Sequence, residues 1–567
     1  MAEGRRFRYL SIPGGYRREQ ILALSRRSQQ VLFFAAATGI VTGAVVAGFE
    51  YVTREIVFEA LVEAPLWVRC LAPLVGLVGA ALSLRLLGGQ SPATADEYIE
   101  NFHDRNNRLA LRPFPARMLA ALFTLGSGGA LGYEGPAIYA GAESGTLLQS
   151  RLRRFFSRDE AKVLLVAGAA AGVAAIFRAP ATGVVFALEV PYQDDLARRQ
   201  LLPASIAAAA GYLTFVALLG TEPLLPVSGA PGFGFAELAG AVAVGLLCGA
   251  IARFFSIGVQ WIKTAGGRHD PLVLAVGAGV LLAGLAWTSD VVFHEPYTLG
   301  AGYDTVTWAL DPTRAIGLVF LLFGMRAVAT AVTLGGRGVG GLFIPLVVQG
   351  ALLGRAVGGL FGDTDSTLFP LIGIAAFLGA GYRVPLAAVM FVAETTGRPG
   401  FVVPGLIAAV TAQLMMGRWS VSKAQVGSRL GHLERRFSMP LASALESDVR
   451  TIPPNATAQE FFWHHVIGSR QHSVPVVDGA DYIGTVRIDE LRQVPREEWD
   501  NTPITEVMRT DVPTARPDWL LRQAVEAMDA SAVDRLPVTD GRGLFIGVVT
   551  MDEIIKLDEI LDVTGDG

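Results

Sequence analysis

The sequence predicts an α-helical polytopic membrane protein with an inverted-topology internal repeat, followed by a separate soluble α/β domain. Three observations support this fold class: an apolar composition, two repeated segments, and a change of composition after Arg418. Of the 567 residues, 51% are hydrophobic and 17% are charged, and the mean hydropathy is +0.44. Soluble domains carry about 25% charged residues, so we expect most of this chain to lie in a bilayer.

Apolar stretches long enough to cross about 30 Å of hydrocarbon recur along the first three quarters of the chain. Glycine and proline interrupt several of them, and lipid tolerates irregular backbone only where it faces protein or a water-filled pathway. Broken or re-entrant helices are therefore predicted. The stretches are 31–51, 66–87, 118 onward, 163–190, 202–219, 236–255, 272–287, 315–333 and the glycine-rich run to 416.

The N-terminal segment, residues 1–30, is rich in arginine, and no small-residue cleavage site follows the first apolar run. It is predicted to be a cytoplasmic segment and not a signal peptide. The net charge of -4 and the adjacent membrane favour contact with a lipid leaflet over nucleic acid. We therefore expect a multi-pass protein of the cell (inner) membrane. If the number of spans is even, both termini are cytoplasmic.

Two pairs of segments match at nearly constant offsets. The stretch "LGSGGALGYEGP" at 125–136 aligns without gaps to "LGGRGVGGLFIP" at 334–345. The stretch "GAAAGVAAIFRAPATGVVFALE" at 168–189 aligns to "GIAAFLGAGYRVPLAAVMFVAE" at 373–394, with Arg, Pro, Phe and Glu in step. Shared spacing of four different residue types indicates a duplication.

The duplication divides the membrane part into halves at 31–225 and 226–430. Two homologous halves with both termini on one side of the membrane require an odd number of spans each, which inverts one half relative to the other. Inverted repeats place the substrate near the bilayer midplane, where broken helices from both halves meet.

The repeated motif carries one acid, Glu134, among glycines. A helix N-terminus exposes unpaired N–H groups with about half a positive charge, glycine lets the backbone approach a ligand, and proline is tolerated in the first turn. Two such N-termini aimed at one point form an anion site without full positive charges. The alternative is close helix packing through small residues.

These motifs resemble those of the CLC chloride channels and chloride/proton antiporters: "GYEGP" is similar to their G(K/R)EGP and "GLFIP" to their GxFxP. The resemblance implies a homodimer in a lipid bilayer, one pore per subunit, and chloride or a similar anion as the transported ion. It implies that Glu134 is the gating glutamate and that the N–H groups of Leu342 and Phe343 bind the anion. The remaining anion-site positions of the first motif are Gly132, Tyr133 and Gly135.

The chain departs from the family at the inner end of this pathway. The family's GSGIP motif falls near "GGQSP", which puts Gly89 where the chloride-coordinating serine stands, with Ser91 as a less favoured substitute. The family's anion-coordinating tyrosine, on its last membrane helix, aligns with Ser422. Both anion-binding positions, Gly89 and Ser422, therefore predict a wider inner end with fewer hydroxyl ligands. Tyr133 replaces a basic residue beside the gate.

The resemblance also identifies an internal proton-site position, where this chain has Val190 after Glu189. Because a proton crosses apolar protein only at high cost without a titratable relay, the sequence predicts voltage- or pH-gated transport that is channel-like or weakly proton-coupled. Glu189 is expected to be a structural acid. The alternatives are a chloride/proton antiporter with a different proton route, or transport of fluoride or nitrate.

The C-terminal tail contains two similar segments, "HSVPVVDGADYIGTVRIDELRQ" and "DRLPVTDGRGLFIGVVTMDEIIK". Each pattern indicates two strands and a helix opening on Asp-Glu, and together they resemble a cytoplasmic pair of CBS modules at 438–497 and 503–562. Such pairs often bind adenosine nucleotides, which makes ATP or AMP a candidate ligand at Thr550, Asp552 and Glu553, although no cofactor is required. The alternative is a purely structural tail that stabilises a dimer.

Other function classes have less support. The seven histidines show no metal or triad spacing and no Walker-type loop is present, so neither an enzyme nor a metal site is predicted. Nucleic acid is not an expected partner. The remaining alternative from another class is a nucleotide-sensing membrane scaffold that does not conduct.

Overall fold

The structure, a computed structural model, describes most of the chain, and residues 1–13 of the predicted N-terminal segment lie outside the described part. The chain separates into two compact units, Met1–Ser428 and Arg429–Gly567. The described residues are 14–88, 91–104, 113–156, 162–221, 224–225, 227, 234–267, 269–360, 367–427, 437, 439–468, 471–531 and 533–564.

The first unit is helical, as predicted. Its helix α1 runs directly into a π-helix, Tyr51–Phe58, and the two halves then contain comparable series of helices. The first half has α1 Gly14–Glu50, α2 Glu59–Val62, α3 Leu66–Leu86, α4 Ala95–His103, α5 Phe114–Gly126, α6 Glu134–Arg151, α7 Val163–Phe177, α8 Pro180–Glu189 and α9 Leu201–Leu219. The second half has α10 Phe235–Gly266, α11 Pro271–Phe293, α12 Tyr303–Ala309, α13 Ile316–Gly335, α14 Phe343–Leu360, α15 Leu368–Tyr382, α16 Pro385–Thr396 and α17 Val402–Met416.

Among the described residues, eight helical segments are long and apolar enough to cross a membrane. Most of them bury only a third to under a half of their apolar window, whereas α14 is 89% buried. Five further apolar helices are too short to span, among them α7 and α8, which meet at a left-handed residue, Arg178. The interrupted stretches thus form broken helices inside a shell of longer ones.

Hydrogen bonds between the halves follow the first repeat. The amide of Ala130 donates to Thr333 Oγ1 at 3.1 Å, and the amide of Val339 donates to Thr124 Oγ1 at 3.0 Å. Thr124 aligns with Thr333 and Ala130 with Val339 in the repeat. The two copies therefore exchange equivalent contacts, which is what a local two-fold relation requires.

The second unit contains two β-hairpins, each over its own apolar core. Strands β1 Ser473–Asp478 and β2 Asp481–Arg487 pair antiparallel, as do β3 Arg535–Thr539 and β4 Phe545–Thr550. The helices are α18 Ala458–Glu460, α19 Ile504–Val507, α20 Leu521–Ala530 and α21 Met551–Thr564.

The two tail modules differ in the element after the hairpin. Helix α21 comes directly after β4, as predicted for a helix opening on Asp-Glu. After β2 the expected helix is wrong, because the chain forms only a 3-10 turn, Glu490–Gln493. Pro495 stands two residues beyond this turn, and proline disfavours helical backbone in the residue before it.

Candidate anion-binding site

Glu134 is the first residue of α6, and its side chain is 1% exposed. Its Oε1 accepts a hydrogen bond from the backbone N–H of Phe343, the first residue of α14, at 2.6 Å. The N-termini of two helices, one from each half, therefore meet at this carboxylate. Both ends carry partial positive charge, so the point where they meet suits an anion.

Three glycines make room for the Glu134 carboxylate. The amide of Gly132 donates to the carbonyl of Gly341 at 2.9 Å, and the amide of Gly341 donates back at 2.8 Å. A Cβ on Gly132 would lie 1.8 Å from Glu134 Oε2, and one on Gly341 would lie 2.0 Å from Oε1. A Cβ on Gly135 would meet the amide of Gly341 at 2.6 Å. A side chain at any of these three positions would displace the Glu134 carboxylate or the neighbouring backbone.

Other glycines of the same motifs have the alternative role, close helix packing. A Cβ on Gly141 or Gly145 of α6 would lie within 2.0 Å of a carbonyl oxygen of α7, at Gly168 and Leu164 respectively. Close packing therefore accounts for the glycines within the helices, and the anion-site hypothesis concerns the glycines at the helix starts. The glycines before and at the helix N-termini surround the carboxylate, and those within the helices allow contact between backbones.

Two cavities approach the site. The first, which we name the Tyr133 cavity, has a volume of about 500 Å³ and is lined by Tyr133, Arg54 and Tyr303 among others. The second, the Leu342 cavity, has a volume of about 270 Å³ and reaches Gly341 and Leu342. The first cavity reaches the residue before Glu134, and the second reaches the two residues before Phe343, the hydrogen-bond partner of Glu134.

The Tyr133 cavity contains a cation that the motif itself lacks. Tyr133 is buried where a basic residue was expected from the resemblance, but Arg54 of the π-helix lies in the same cavity. Its guanidinium donates to Glu50 Oε1 at 3.1 Å and lies 5.4 Å from the centre of the Tyr303 ring. A basic side chain, paired with Glu50, thus lies in the same cavity as Tyr133 and comes from another helix.

Tyr382 is a site residue that sequence reasoning missed. It ends α15, lines the Leu342 cavity, and its hydroxyl faces the backbone amide of Leu342. Its ring packs edge-on against Phe186 at 5.6 Å, and its carbonyl accepts a hydrogen bond from Gln425 at 2.8 Å. The repeat held a signal for it, because the first half has Phe177 at the matching position.

The predicted inner-end residues have different positions. Gly89 lies outside the described residues. Ser91 lines the Leu342 cavity, and its hydroxyl accepts the Ala93 amide at 3.2 Å. Ser422 is 2% exposed, belongs to a non-helical segment after α17, and is not among the residues that line this cavity. Ser91 and Tyr382 therefore both line the Leu342 cavity, whereas Ser422 does not.

Glu189 and Glu394 satisfy backbone groups of the opposite half. Glu189 accepts from the amides of Leu386 at 3.2 Å and Ala387 at 2.8 Å, at the start of α16. Glu394 accepts from the matching amides at the start of α8, Ala181 at 2.9 Å and Thr182 at 2.6 Å.

Val190 directly follows α8 and is 1% exposed. Its carbonyl accepts a hydrogen bond from the Gln425 side chain at 2.9 Å. The internal proton-site position therefore contains a buried apolar side chain beside Glu189, an acid that is hydrogen-bonded to backbone.

The tail residues proposed for nucleotide contacts lie at the start of α21. Thr550 is 8% exposed and its Oγ1 accepts the amide of Glu553 at 3.2 Å, which is an N-cap contact. Asp552 is exposed and Glu553 pairs with Lys556. The three residues lie together, with the Thr550 hydroxyl engaged in capping.

Comparison with known proteins relates both units to described families. A family model for the voltage gated chloride channel matches residues 76–417, and a CBS domain model matches residues 504–559. The H(+)/Cl(-) exchange transporter ClcA of Salmonella schwarzengrund (strain CVM19633) is 26% identical over 430 residues, which cover 70% of this chain and 88% of that protein.

Solved structures share the fold. A CLC-type fluoride/proton antiporter has a TM-score of 0.60 at 23% identity and covers 70% of this chain and 98% of its own. A slow cyanobacterial Cl-/H+ antiporter has a TM-score of 0.59 at 21% identity, over 68% of this chain and 94% of its own. A eukaryotic CLC transporter has a TM-score of 0.58 at 18% identity and covers 93% of this chain and 98% of its own.

Proposed function

The chain belongs to the voltage gated chloride channel (CLC) family, and from this premise we propose that it carries chloride or a similar anion across a membrane with Glu134 as the gate. The observation that supports the proposal most strongly is the hydrogen bond from the Phe343 amide to the Glu134 carboxylate. The carboxylate occupies the place where two helix N-termini favour negative charge. Protonation, or competition by an anion, releases it.

In this proposal the anion is bound by dipoles and hydrogen-bond donors. The amides of Leu342 and Phe343 supply donors at the N-terminus of α14, and the hydroxyl of Tyr382 lies beside them. Gly132 and Gly135 keep the backbone close enough for these contacts. Partial charges hold an anion less tightly than a lysine or arginine would, which permits rapid release.

The coupling to protons follows from position 190. Val190 is apolar and buried, and Glu189 already accepts two backbone N–H groups, so neither offers a free relay for protons. This supports voltage- or pH-gated transport that is channel-like or weakly proton-coupled. The alternative, an antiporter with a different proton route, agrees with the exchanger names of several relatives.

Chloride is the default anion, and fluoride or nitrate is the alternative because Gly89 and Ser422 differ from the family's hydroxyl ligands. Competition between these anions in one flux assay distinguishes them. The likeness to a fluoride/proton antiporter, at 23% identity, concerns the fold and does not favour fluoride.

The oligomeric state, the membrane location and the nucleotide ligand of the protein are also proposals. A homodimer in the cell (inner) membrane, with both termini cytoplasmic, fits the family and the arginine-rich start of the chain. The CBS pair is proposed to bind an adenosine nucleotide, ATP or AMP, at Thr550, Asp552 and Glu553 and to regulate transport. Calorimetry of the full-length protein with each nucleotide, compared with Thr550→Val, tests this.

Purified protein in chloride-loaded liposomes tests the main proposal. We expect chloride efflux on addition of a potassium ionophore, because the ionophore releases the opposing voltage. Liposomes without protein give the background rate. Absence of efflux above that background at neutral and acidic pH contradicts the proposal and favours the other class, a nucleotide-sensing membrane scaffold.

A further inference from the structure

A second buried acid lies where α4, α5 and α6 meet. Glu143 of α6 is 3% exposed, and within the described residues neither of its carboxylate oxygens has a hydrogen-bond partner. The hydroxyl of Tyr139 and Nη1 of Arg117 are buried and unpaired in the same way. We name Glu143, Tyr139, Arg117 and Glu97 the Glu143 cluster.

Arg117 holds the Glu143 cluster together. Its Nε donates to the carbonyl of Ser91 at 3.1 Å and its Nη2 donates to Glu97 Oε2 at 3.2 Å. Its guanidinium lies 5.1 Å from the centre of the Tyr139 ring. The Glu143 carboxyl lies next to the Tyr139 hydroxyl and near the Arg117 guanidinium, close enough to interact with both but outside strict hydrogen-bonding geometry.

Unpaired polar groups at this depth are costly. Each buried donor or acceptor without a partner costs about 1–3 kcal/mol, and ordered water commonly bridges such groups. Four unpaired atoms on three neighbouring side chains therefore point to a hydrated polar pocket. In such a pocket a carboxyl group can exchange a proton through water, which a directly ion-paired acid does less readily.

Among the described residues, the titratable groups that act on Glu143 are Tyr139 of its own helix, Arg117 and Glu97. Helix α7 meets α6 through Leu164 and the backbone of Gly168, and α1 meets it through Thr42. The charged groups that face the carboxyl are Arg117 from α5 and Glu97 from α4.

Glu143 differs from the structural acids of the fold, because the other half has no acid at the matching position. Glu189 has a counterpart in the other half, Glu394, and each caps the partner's helix. The position that matches Glu143 in the first repeat is Leu352, an apolar residue. The architecture of one half therefore forms without an acid here, and packing alone does not account for Glu143.

The cluster connects the gate helix with a cavity. Glu143 follows Glu134 by nine residues in α6, which corresponds to about 13 Å along the helix axis. At the other end, Arg117 binds Ser91 in the wall of the Leu342 cavity, and the side chain of Glu97 is 23% exposed. The cluster thus reaches from solvent-accessible groups toward the gate.

We propose that Glu143 is the proton-binding group that supplies Glu134 from the side of the Leu342 cavity. The inference rests on the proposed function, anion transport gated by Glu134, and within it favours weakly proton-coupled transport over a purely channel-like pore. A proton leaves the Glu143 carboxyl, passes through water and the Tyr139 hydroxyl, and protonates the Glu134 carboxylate. The Glu143 carboxylate then takes a proton from the cavity, with Arg117 stabilising its charged form meanwhile. The net result is the transfer of one proton from the cavity to Glu134, with no other net change in bonding.

The test measures chloride and proton movement together in liposomes that contain the full-length protein. A chloride gradient is expected to drive protons in the opposite direction through the wild-type protein. Glu143→Gln is expected to lower the ratio of protons to chloride at least fivefold while chloride flux continues. Glu143→Asp keeps the acid and should retain most of the ratio.

Glu189→Gln is the matched variant, because it neutralises a buried acid that is bonded to backbone. It should leave the ratio unchanged. If Glu143→Gln yields no folded protein, Tyr139→Phe replaces it and is expected to lower the ratio by slowing the relay.

Two results overturn the inference while the proposed function stands. The first is chloride flux without proton movement in the wild-type protein. The second is a wild-type ratio in the folded Glu143 or Tyr139 variant. No chloride flux in any protein overturns the proposed function itself.

Discussion

Gly132 and Gly341 exchange two backbone hydrogen bonds, and this pair is the point where the two halves of the membrane unit join at the Glu134 carboxylate. Each glycine stands just before a broken helix, α6 or α14, at equivalent positions of the repeat. Because the bonds are mutual, neither helix N-terminus can shift without the other. The geometry around the Glu134 carboxylate therefore depends on contacts between the halves.

A methyl group at Gly341 is expected to abolish this arrangement. In Gly341→Ala the Cβ would lie 2.0 Å from Glu134 Oε1, so the carboxylate or the backbone must move. Overpacking of this kind costs about 1–3 kcal/mol. We expect anion flux to fall at least tenfold, measured as chloride efflux per folded protein in liposomes.

Gly277→Ala provides the control for this variant. Gly277 lies within α11, and a Cβ there would meet nothing within 4 Å. Flux should be unchanged and thermal stability equal or slightly higher, because alanine favours helix more than glycine does. Equal flux in Gly341→Ala and Gly277→Ala would show that close approach at the carboxylate is unimportant.

Neutralising Glu134 is expected to remove pH dependence. The charged carboxylate binds the Phe343 amide in place of an anion, and protonation weakens that bond. Chloride flux of the wild-type protein should therefore rise as the pH falls. Glu134→Gln should conduct at neutral pH as the wild-type protein does in acid, with a flat pH profile. A pH profile like that of the wild-type protein would refute the gating role.

Tyr382→Phe is expected to weaken anion binding while the fold persists. The ring that packs on Phe186 is retained and only the hydroxyl near the Leu342 amide is lost. A hydrogen bond to a charged ligand is worth about 1.5–3 kcal/mol, so the apparent chloride affinity should fall about tenfold or more. Calorimetric titration with chloride measures it.

Tyr98→Phe is the matched control for Tyr382→Phe. The Tyr98 hydroxyl donates to the carbonyl of Ala187 at 2.7 Å and does not line the Leu342 cavity. Its loss should lower thermal stability and leave chloride affinity as it was. An equal loss of affinity in both variants would assign the Tyr382 effect to general destabilisation.

Much of the site was predictable from sequence because its chemistry is local. Glycine and proline at helix starts encode where backbone N–H groups are free, and Glu134 stands in that motif. The duplication aligned this motif with the one that contains Phe343, and the resemblance to the CLC family implied the role of the Phe343 amide. These features depend on residues within a few positions of each other. Such short motifs can be recognised in a sequence when they occur twice at the same spacing.

The positions of Tyr382 and Arg54 could not be predicted from sequence, because they depend on tertiary packing. Tyr382 faces the pathway because α15 ends beside Gln425 and Phe186, contacts that no local pattern specifies. Arg54 reaches the Tyr133 cavity from a π-helix, which the apolar pattern of α1 does not reveal. Side chains from distant elements can therefore line these cavities although the motif itself does not indicate them.

The reciprocal caps formed by Glu189 and Glu394 are expected to be structural. Glu394→Ala leaves the amides of Ala181 and Thr182 and the Thr182 hydroxyl unpaired, whereas Glu189→Ala leaves only two amides. Each buried unpaired group costs about 1–3 kcal/mol. Both variants should therefore lower the apparent unfolding temperature in detergent, and Glu394→Ala should lower it more.

Glu59→Ala is the control for these acids, because Glu59 is exposed and its removal should change stability by no more than about 0.5 kcal/mol. Unfolding of membrane proteins is often irreversible, so the variants are compared at one heating rate.

Anion selectivity of the Glu189 and Glu394 variants that remain folded should match the wild type, since neither acid lines the Leu342 cavity. Full stability of Glu189→Ala together with altered proton movement would instead make Glu189 a proton carrier, because an acid needed for capping cannot be removed without cost.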